Sequence, residues 1–194
     1  MQLHDLLHRF NQYWQSQPVH DFPFPAAQRA AAVLIAVQQI RGELHVILTT
    51  RASHLLHHAG QVSFPGGKRE PNDKTLVATA LREAQEEIGI DPDNVMVIGN
   101  LPEYKTVSGF AVMPILGILT RPVDIHSELL IDENEVADVF QVPLSFLMKD
   151  EHFFVHHVSR NNEDFPVYFI PYEDRWIWGA TAGMLALLKN HLSA

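Results

Sequence analysis

One helix of this chain ends in the sequence Arg82-Glu83-Ala84-Gln85-Glu86-Glu87-Ile88-Gly89-Ile90. Gly89 is a natural left-handed stop, so Glu86 and Glu87 lie at the negative end of the helix dipole, at a cost of about 0.3–1 kcal/mol each. Because Glu83 precedes them by three and four residues, the three carboxylates share one face and repel one another. This pattern predicts a compensating cation, and a hard divalent ion with oxygen ligands fits best.

The residues around this helix predict a mixed sheet between helices. Either Asp73 or Thr75 can cap the helix, and Leu76 to Ile88 carry an apolar stripe at four-residue spacing. Residues 51–73 form a long loop rich in glycine and proline, of the kind that tends to be functional. The other expected elements are a hairpin of Ala30–Ala36 and Leu44–Thr50, strands at Val62–Phe64, Val95–Asn100, Val112–Leu119, Val136–Val142 and Val167–Ile170, and helices after Pro143 and at Thr181–Leu192.

The amino-acid composition excludes or disfavours several classes of function. The chain of 194 residues has 14 Lys and Arg against 23 Asp and Glu, a net charge of -9, which disfavours a general nucleic-acid binder but leaves a small phosphorylated ligand open. It has no cysteine, which excludes thiol nucleophiles and zinc-thiolate sites and fits a cytoplasmic protein. No stretch approaches the length of a membrane span, so no membrane partner is expected.

The chain is expected to form one domain with an extension. Residues 1–28 are predicted to be an amphipathic helix and a proline-containing linker that pack on the domain, rather than a signal peptide. Residues 29–194 are predicted to form the domain, including the C-terminal helix. The mild amphipathicity of the N-terminal helix leaves a partner surface or a homodimer as the alternative.

Residues 66–90 resemble the motif of the Nudix hydrolases: Gly, five residues, Glu, seven residues, then Arg-Glu-apolar-any-Glu-Glu-any-Gly-apolar. Residues 82–90 match completely. The earlier half departs from the pattern, since Gly67 to Glu83 is one residue longer and the acidic residue is Asp73. The resemblance implies a Nudix-type α/β/α sandwich and Mg²⁺- or Mn²⁺-dependent hydrolysis of a nucleoside diphosphate derivative.

The segment upstream looks like the additional motif of the coenzyme A pyrophosphatase branch of that family. It runs from Leu48 to Ser53 and from His58 to Gly67. Further similarity includes Ser108-Gly109-Phe110 and residues 178–182, so the resemblance spans roughly residues 29–185. Leu56 and His57 stand where relatives often carry a basic residue, which is a departure from that branch.

The resemblance and the residue chemistry together give each candidate a role. Glu83 and Glu87 are expected to be the principal metal ligands, Glu86 is expected to join them when substrate binds, and Arg82 is expected to orient Glu83 or the loop. A solvated acidic face is the alternative. Two carboxylates about 5 Å apart repel by roughly 3 kcal/mol at an effective dielectric constant near 20, and a bound metal ion removes that repulsion.

The general base and the substrate-binding groups each have more than one candidate. Glu135 is the candidate base, with Glu133 and Glu83 as competitors. The substrate-binding candidates are Arg51 for a phosphate, Gln61 and Phe64 along the same loop, and Gly66 and Gly67 for close backbone approach. A core or strand-edge role is an equal alternative for Phe64.

For two groups of residues, we prefer a structural role over a ligand-binding role. The loop histidines His54, His57 and His58 lack the spacing of a zinc site and are expected to face solvent. Trp176 and Trp178 could stack on an adenine, although packing against the C-terminal helix is the favoured prediction.

The main hypothesis is a hydrolase that splits coenzyme A, or its acyl or oxidised forms, into adenosine 3',5'-bisphosphate and 4'-phosphopantetheine. The alternatives are a hydrolase of ADP-ribose, NADH or another nucleoside diphosphate derivative, and a Nudix-fold binding module without turnover. The module would be expected to lack a metal-binding glutamate, and here Glu83, Glu86 and Glu87 are all present.

Overall fold

A computed structural model describes residues 1–12, 19–20, 29–55, 58–160 and 163–193. The helices are α1 Leu3–Gln12, α2 Leu76–Ile88, α3 Leu144–Leu147 and α4 Gly179–Ser193, with 3-10 turns at Pro92–Asn94 and Asp150–His152. The strands are β1 Val19–His20, β2 Arg29–Ile40, β3 Glu43–Arg51, β4 Val62–Ser63, β5 Gly66–Lys68, β6 Val95–Asn100, β7 Tyr104–Lys105, β8 Phe110–Leu119, β9 Val136–Pro143, β10 Phe154–Arg160, β11 Glu163–Tyr172 and β12 Arg175–Trp178.

A mixed sheet forms the centre of the molecule. Within the described ranges it has nine strands, with the path β1-β7-β8-β2-β3-β4, while β5 pairs with β2, β6 with β8 and β9 with β3. The β2–β8 pair is parallel, and the expected β2–β3 hairpin is antiparallel, with Val37 opposite Val46. The strands predicted at residues 95–100, 112–119 and 136–142 all belong to this sheet.

Strand β2 is buried on both faces, which explains its nearly continuous apolar sequence. Ile35 and Val37 point into the core layer that also contains residues of α1 and α4. Leu34 and Ala36 point to the opposite layer, where they pack with α2. The sheet therefore lies between two helical layers, and the predicted α/β/α sandwich with a mixed sheet is confirmed.

The two terminal helices pack together on one face of the sheet. In α1, Leu6 and Phe10 are buried, and the Arg9 guanidinium donates to the carbonyl of Leu192, 2.9 Å away. The ring of His191 lies 2.8 Å from the carbonyl of Phe10. Helix α4 is apolar around most of its circumference because it lies between α1, the sheet and β11.

A second sheet was largely missed by the sequence prediction. Strands β10, β11 and β12 form an antiparallel three-stranded sheet, of which only residues 167–170 were predicted as a strand. The sequence of β10, with His156 and His157 at its centre, lacks a buried apolar face that would reveal it. Ile170 and Ile177 attach this sheet to the main core.

No helix in the described part of the chain is both long enough and apolar enough to cross a membrane.

Candidate active site

Helix α2 holds the acidic residues in a fixed position because both of its ends are capped. Of the two predicted caps, Thr75 is the one used, and its hydroxyl accepts a hydrogen bond from the amide of Ala78. Gly89 adopts the left-handed conformation at φ 72°, and its amide bonds to carbonyls of the last turn. No basic residue lies in that last turn, so the turn that carries Glu86 and Glu87 supplies no positive charge of its own.

Arg82 supplies positive charge from the preceding turn. Its guanidinium donates to Glu83 Oε1 at 2.9 Å and to Glu86 Oε2 at 2.7 Å. It also makes a two-point contact with Asp73, at 3.1 Å from Nε to Oδ1 and 3.0 Å from Nη2 to Oδ2. The carbonyl of Lys68, beside the glycine loop, accepts a further hydrogen bond at 3.2 Å. One cation therefore joins the loop, the helix and three carboxylates.

Asp73 braces Arg82 despite its departure from the family pattern. It is 6% exposed and accepts additional hydrogen bonds from the Thr79 hydroxyl, 3.0 Å away, and the Glu70 amide, 2.9 Å away. The hydrogen bonds from Arg82 hold the pKa of Asp73 far below its usual range. Thr79 was not singled out from the sequence, although a hydroxyl within a buried helix face is a usable signal.

Glu83 lies directly against the glycine loop. A Cβ atom added to Gly67 would come within 2.5 Å of both carboxylate oxygens of Glu83. The backbone can therefore approach this carboxylate only because residue 67 has no side chain. Burial raises the pKa of Glu83, and hydrogen bonding from Arg82 opposes that rise.

Glu87 is the most buried of the three carboxylates, at 3% exposed. The amide of Gly66 donates to its Oε2 at 3.1 Å, and Arg51 Nη1 lies 3.7 Å from its Oε1. Burial raises its pKa to about 8, in spite of the Gly66 hydrogen bond. The Arg51 and Gly66 candidates are thus brought to the carboxylate site, and they contact the same side chain.

An acidic loop before β9 brings Glu135 to the site. The amide of Asp132 donates to the carbonyl of Glu87 at 2.9 Å, and the amide of Ala52 donates to the carbonyl of Glu135 at 2.8 Å. Burial is the main reason why the pKa values of Glu83 and Glu87 are raised, and the negative charge of Glu135 adds to both. Glu133, like Glu135, is exposed.

Other predicted residues have different surroundings. The side chain of Gln61 pairs with the ring of His58, 2.7 Å away, at the exposed part of the loop. Phe64 is 2% exposed and belongs to the core, so the structural alternative is correct for it. His54 and His58 are exposed, as expected for loop histidines, whereas His57 lies outside the described residues.

The prediction that the two tryptophans pack against the C-terminal helix is wrong. Trp176 is 62% exposed and Trp178 is 42% exposed, because both extend from the outward face of β12. The alternating pattern of this strand, with Ile177 fully buried between them, directs both indoles away from the core.

The donor set fits a hard divalent cation. Glu83, Glu86 and Glu87 offer carboxylate oxygens on one helix face, and Arg51, at 3.7 Å, is the one cationic side chain within 4 Å of the buried Glu87 among the residues that the structure describes. Among the described residues, no three Asp, Glu, His or Cys side chains are already close enough together to hold an ion. Arg82 occupies one oxygen of Glu83 and one of Glu86, so these side chains must reorient for all three to bind a single ion.

The mixed sheet between helices defines an α/β/α sandwich protein. Its candidate site is the group of carboxylates at the end of α2, which lies against the glycine loop. A family model described as the NUDIX domain matches residues 27–161, and the chain therefore belongs to the Nudix hydrolases. Membership supports a pyrophosphohydrolase activity, and enzymes of this family generally use Mg²⁺ or Mn²⁺.

Sequence relatives agree with this assignment. The chain is 38% identical over 187 residues to "Uncharacterized Nudix hydrolase NudL" of Yersinia enterocolitica, covering 96% of this chain and 93% of the relative. It is also 38% identical over 174 residues to the protein of the same name in Yersinia pestis, covering 90% of this chain and 85% of the relative.

Solved structures share the fold. A Nudix hydrolase from M. smegmatis, RenU, has a TM-score of 0.51 at 21% identity and covers 61% of this chain and 72% of its own. A MutT/nudix family protein from Enterococcus faecalis has a TM-score of 0.50 at 14% identity and covers 97% of this chain and 68% of its own.

Proposed function

We propose that this Nudix hydrolase hydrolyses the diphosphate of coenzyme A, or of its acyl or oxidised forms, in a reaction that depends on Mg²⁺ or Mn²⁺. Water attacks one phosphorus and the bridging P–O bond breaks, giving adenosine 3',5'-bisphosphate and a 4'-phosphopantetheine that keeps whatever group the sulfur of the substrate carried. The observation that carries the chemistry is Glu87, a carboxylate 3% exposed at the negative end of a helix. The cysteine-free sequence supports a cytoplasmic location as part of the same proposal.

In this proposal Glu83 and Glu87 hold the metal, and Glu86, which is 60% exposed, joins them when substrate binds. The bound ion supplies Lewis acidity and neutralises charge that grows on the diphosphate. Deprotonation of Glu87 accompanies metal binding, because its pKa of about 8 in the metal-free protein keeps it mostly protonated at neutral pH.

The protein groups around the ligands have separate tasks. Arg82 is a positioning residue, since it fixes Glu83 through one guanidinium while Asp73 fixes Arg82. Glu135 is the proposed base for the attacking water. The bond from the Ala52 amide to its carbonyl, just after β3, and the bond from the nearby Asp132 amide to the Glu87 carbonyl support this role. Gly66 and Gly67 are the proposed points of close backbone approach to the substrate, and they also leave room for β2 and for the Glu83 carboxylate, which an added Cβ would meet.

The coenzyme A assignment is supported by the resemblance of residues 48–67 and by the position of Arg51. Its guanidinium is 27% exposed and lies at the carboxylate site, so it can reach a substrate phosphate with little movement. A planar guanidinium suits phosphate oxygens through two parallel hydrogen bonds. Gln61 is the second proposed contact, once its side chain leaves His58.

A substrate panel tests the proposal. Purified protein is incubated with Mg²⁺ or Mn²⁺ and with coenzyme A, acetyl-coenzyme A, ADP-ribose or NADH, and the products are separated chromatographically. We expect coenzyme A compounds to have the highest kcat/KM and to yield the two named products. Cleavage of ADP-ribose or NADH in preference to coenzyme A would reject the substrate, and absence of turnover on all four would favour a binding module.

The variant Arg51→Ala tests whether Arg51 contacts a phosphate of the substrate. If Arg51 contacts a phosphate that is bound in both ground and transition states, KM for coenzyme A rises by about tenfold or more while kcat changes little. Arg41→Ala is the matched control, since Arg41 lies in the exposed β2–β3 turn. Equal KM values for the two variants would remove Arg51 from the substrate site.

A further inference from the structure

The three-stranded sheet presents an aromatic outer face. Phe154, Phe169 and Trp178 are directly opposite one another across β10, β11 and β12, so their side chains form one cross-strand row. Trp176 lies on the same face, one pair further along, opposite Pro171. Large aromatic side chains are costly to leave in water, and a group of them marks a surface that binds something.

Three of these side chains line a shallow, open cleft. Phe169, Trp176 and Trp178 line a volume of about 360 Å³, at the lower end of the range of small-molecule sites. The rings of Phe169 and Trp178 are parallel within 7°, with centroids 6.2 Å apart. Packing against Phe169 holds the indole of Trp178 in one orientation, so its π-face is ready for a planar ligand before the ligand arrives.

Strand β12 is tied at both ends to the segments that build the catalytic site. At its start, Arg175 pairs with Asp138 of β9 at 2.8 Å, and Asp138 is opposite Thr50, next to Arg51. After its end, the Thr181 hydroxyl donates to the carbonyl of Val62 at 2.9 Å, in the strand that leads to the glycine loop. The cleft therefore belongs to the same rigid framework as the carboxylates.

We infer that this cleft binds the nucleobase of the substrate by stacking on Trp178 and Trp176. The inference rests on the proposed function for the identity of the ligand as a nucleotide. Its lining is aromatic and supplies no carboxylate or guanidinium, so the base is held through its π-face rather than by hydrogen bonds that distinguish one base from another. An acidic protein gains affinity for an anionic nucleotide in this way without added positive charge.

A nucleobase fits the cleft better than a second copy of the chain does. A face-to-face contact between two sheets would use the whole cross-strand row, including Phe154, which is 57% exposed. The cleft is confined to Phe169 and the two tryptophans and leaves Phe154 outside. A substitution of Phe154 therefore distinguishes a bound nucleobase from a bound second copy of the chain.

The experiment measures binding without requiring turnover. Tryptophan fluorescence is titrated with adenosine 3',5'-bisphosphate and, for comparison, with ribose 5-phosphate, which lacks a base. The variants are Trp178→Leu, Trp178→Phe and the matched control Phe154→Leu, each checked by circular dichroism and by sedimentation. In parallel, KM and kcat are determined for the best substrate of the panel.

We expect the bisphosphate to quench the fluorescence of the wild-type protein and ribose 5-phosphate to leave it nearly unchanged. Trp178→Leu should weaken binding of the bisphosphate by about 5- to 150-fold, the range that loss of one stacked base gives. Trp178→Phe should retain most of the affinity because it keeps a π-face, and Phe154→Leu should match the wild type. For Trp178→Leu, KM should rise with little change in kcat.

Two results would overturn the inference. Unchanged affinity in Trp178→Leu would show that the indole does not contact the base. Equal weakening in Phe154→Leu, with dissociation of a dimer in sedimentation, would assign the face to a second copy. If coenzyme A is not cleaved but the bisphosphate binds in a Trp178-dependent way, the stacking site stands and only the proposed substrate fails.

Discussion

The end of α2 and the outer face of β12 depart from the usual distribution of residues in opposite directions. Glu87 is a carboxylate that is 3% exposed, and Trp176 is an indole that is 62% exposed. The buried carboxyl group has polar contacts with Gly66 and Arg51, whereas the exposed indole lines the cleft together with Phe169 and Trp178. Changes at the first region should affect catalysis and stability, and changes at the second should affect only binding.

The largest expected effect is that of Glu83→Gln. The amide keeps the shape of the side chain but removes the charge that would bind metal. We therefore expect kcat to fall by more than about 100-fold, which exceeds the loss typical of a residue that only orients a metal ligand. The melting temperature should remain close to that of the wild type. Gln85→Ala, on the exposed side of the same helix, is the control, and activity in Glu83→Gln equal to that control would overturn the metal assignment.

Gly67→Ala tests whether the position of Glu83 matters as much as its charge. The new methyl group would lie within 2.5 Å of the carboxylate, so Glu83 or the loop must shift. We expect kcat/KM to fall by about 10- to 100-fold, as when a ligand loses its orientation. Glu70→Ala, at an exposed position three residues further along the chain, serves as the control; similar activities in both variants would contradict the prediction.

Asp73→Asn weakens the brace behind Arg82. Loss of hydrogen bonds between charged groups should lower the free energy of unfolding by about 1.5–3 kcal/mol. Because Arg82 then holds Glu83 less firmly, activity should fall by about tenfold. Denaturant unfolding and initial rates measure the two effects. The control is the exposed Asp174→Asn, and the importance of the brace is disproved if both variants behave alike.

The pH dependence of stability tests the burial of Glu87. The folded metal-free protein keeps the Glu87 proton up to about pH 8, whereas the unfolded chain releases it near its ordinary pKa of 4.5. The unfolded state then binds fewer protons, so the free energy of unfolding falls as pH rises through this interval.

Thermal unfolding in EDTA from pH 5 to pH 9 measures this effect. Relative to Glu87→Gln, which cannot titrate, the wild type should lose on the order of 1–3 kcal/mol over this range. Excess Mg²⁺ should reduce the difference, since it offsets the charge. A constant difference at all pH values would show that Glu87 is charged throughout.

The smallest expected effect is that of Trp176→Ser, on the outer face of β12. Trp176→Ser should change the free energy of unfolding by no more than about 0.5 kcal/mol, because the indole is mostly exposed and makes few stabilising contacts. Denaturant unfolding checks this value. A loss of several kcal/mol would mean that the aromatic face stabilises the fold and that the contrast between the two regions is smaller than the exposures suggest.

The sequence predicted the central fold and the acidic helix well because both depend on local repeats. Apolar spacing indicated α2, and the short β-branched runs indicated the hairpin and the strands at residues 95–100 and 136–142. The sequence alone does not establish that Asp73 braces Arg82, because the spacing is one residue longer than in the family pattern. In the structure the aspartate accepts hydrogen bonds from two of the three guanidinium nitrogens, so the ion pair is kept although the spacing is not.

The aromatic face could not be predicted by the same reasoning. Tryptophans next to a helix are usually core residues, and only the register of β12 reveals that Ile177, and not its neighbours, points inward. The loop contact between Gln61 and His58 was also unpredictable, because it depends on a turn geometry without sequence periodicity.

The bond from the Asp132 amide to the Glu87 carbonyl has a mechanical consequence. Together with the bond between Ala52 and Glu135, it joins the acidic loop to a helix end and to a strand end. The loop therefore cannot swing outward as a free lid without breaking both hydrogen bonds. Any displacement of the loop is transmitted to the last turn of α2, so the proposed base and the proposed ligands move as a coupled unit.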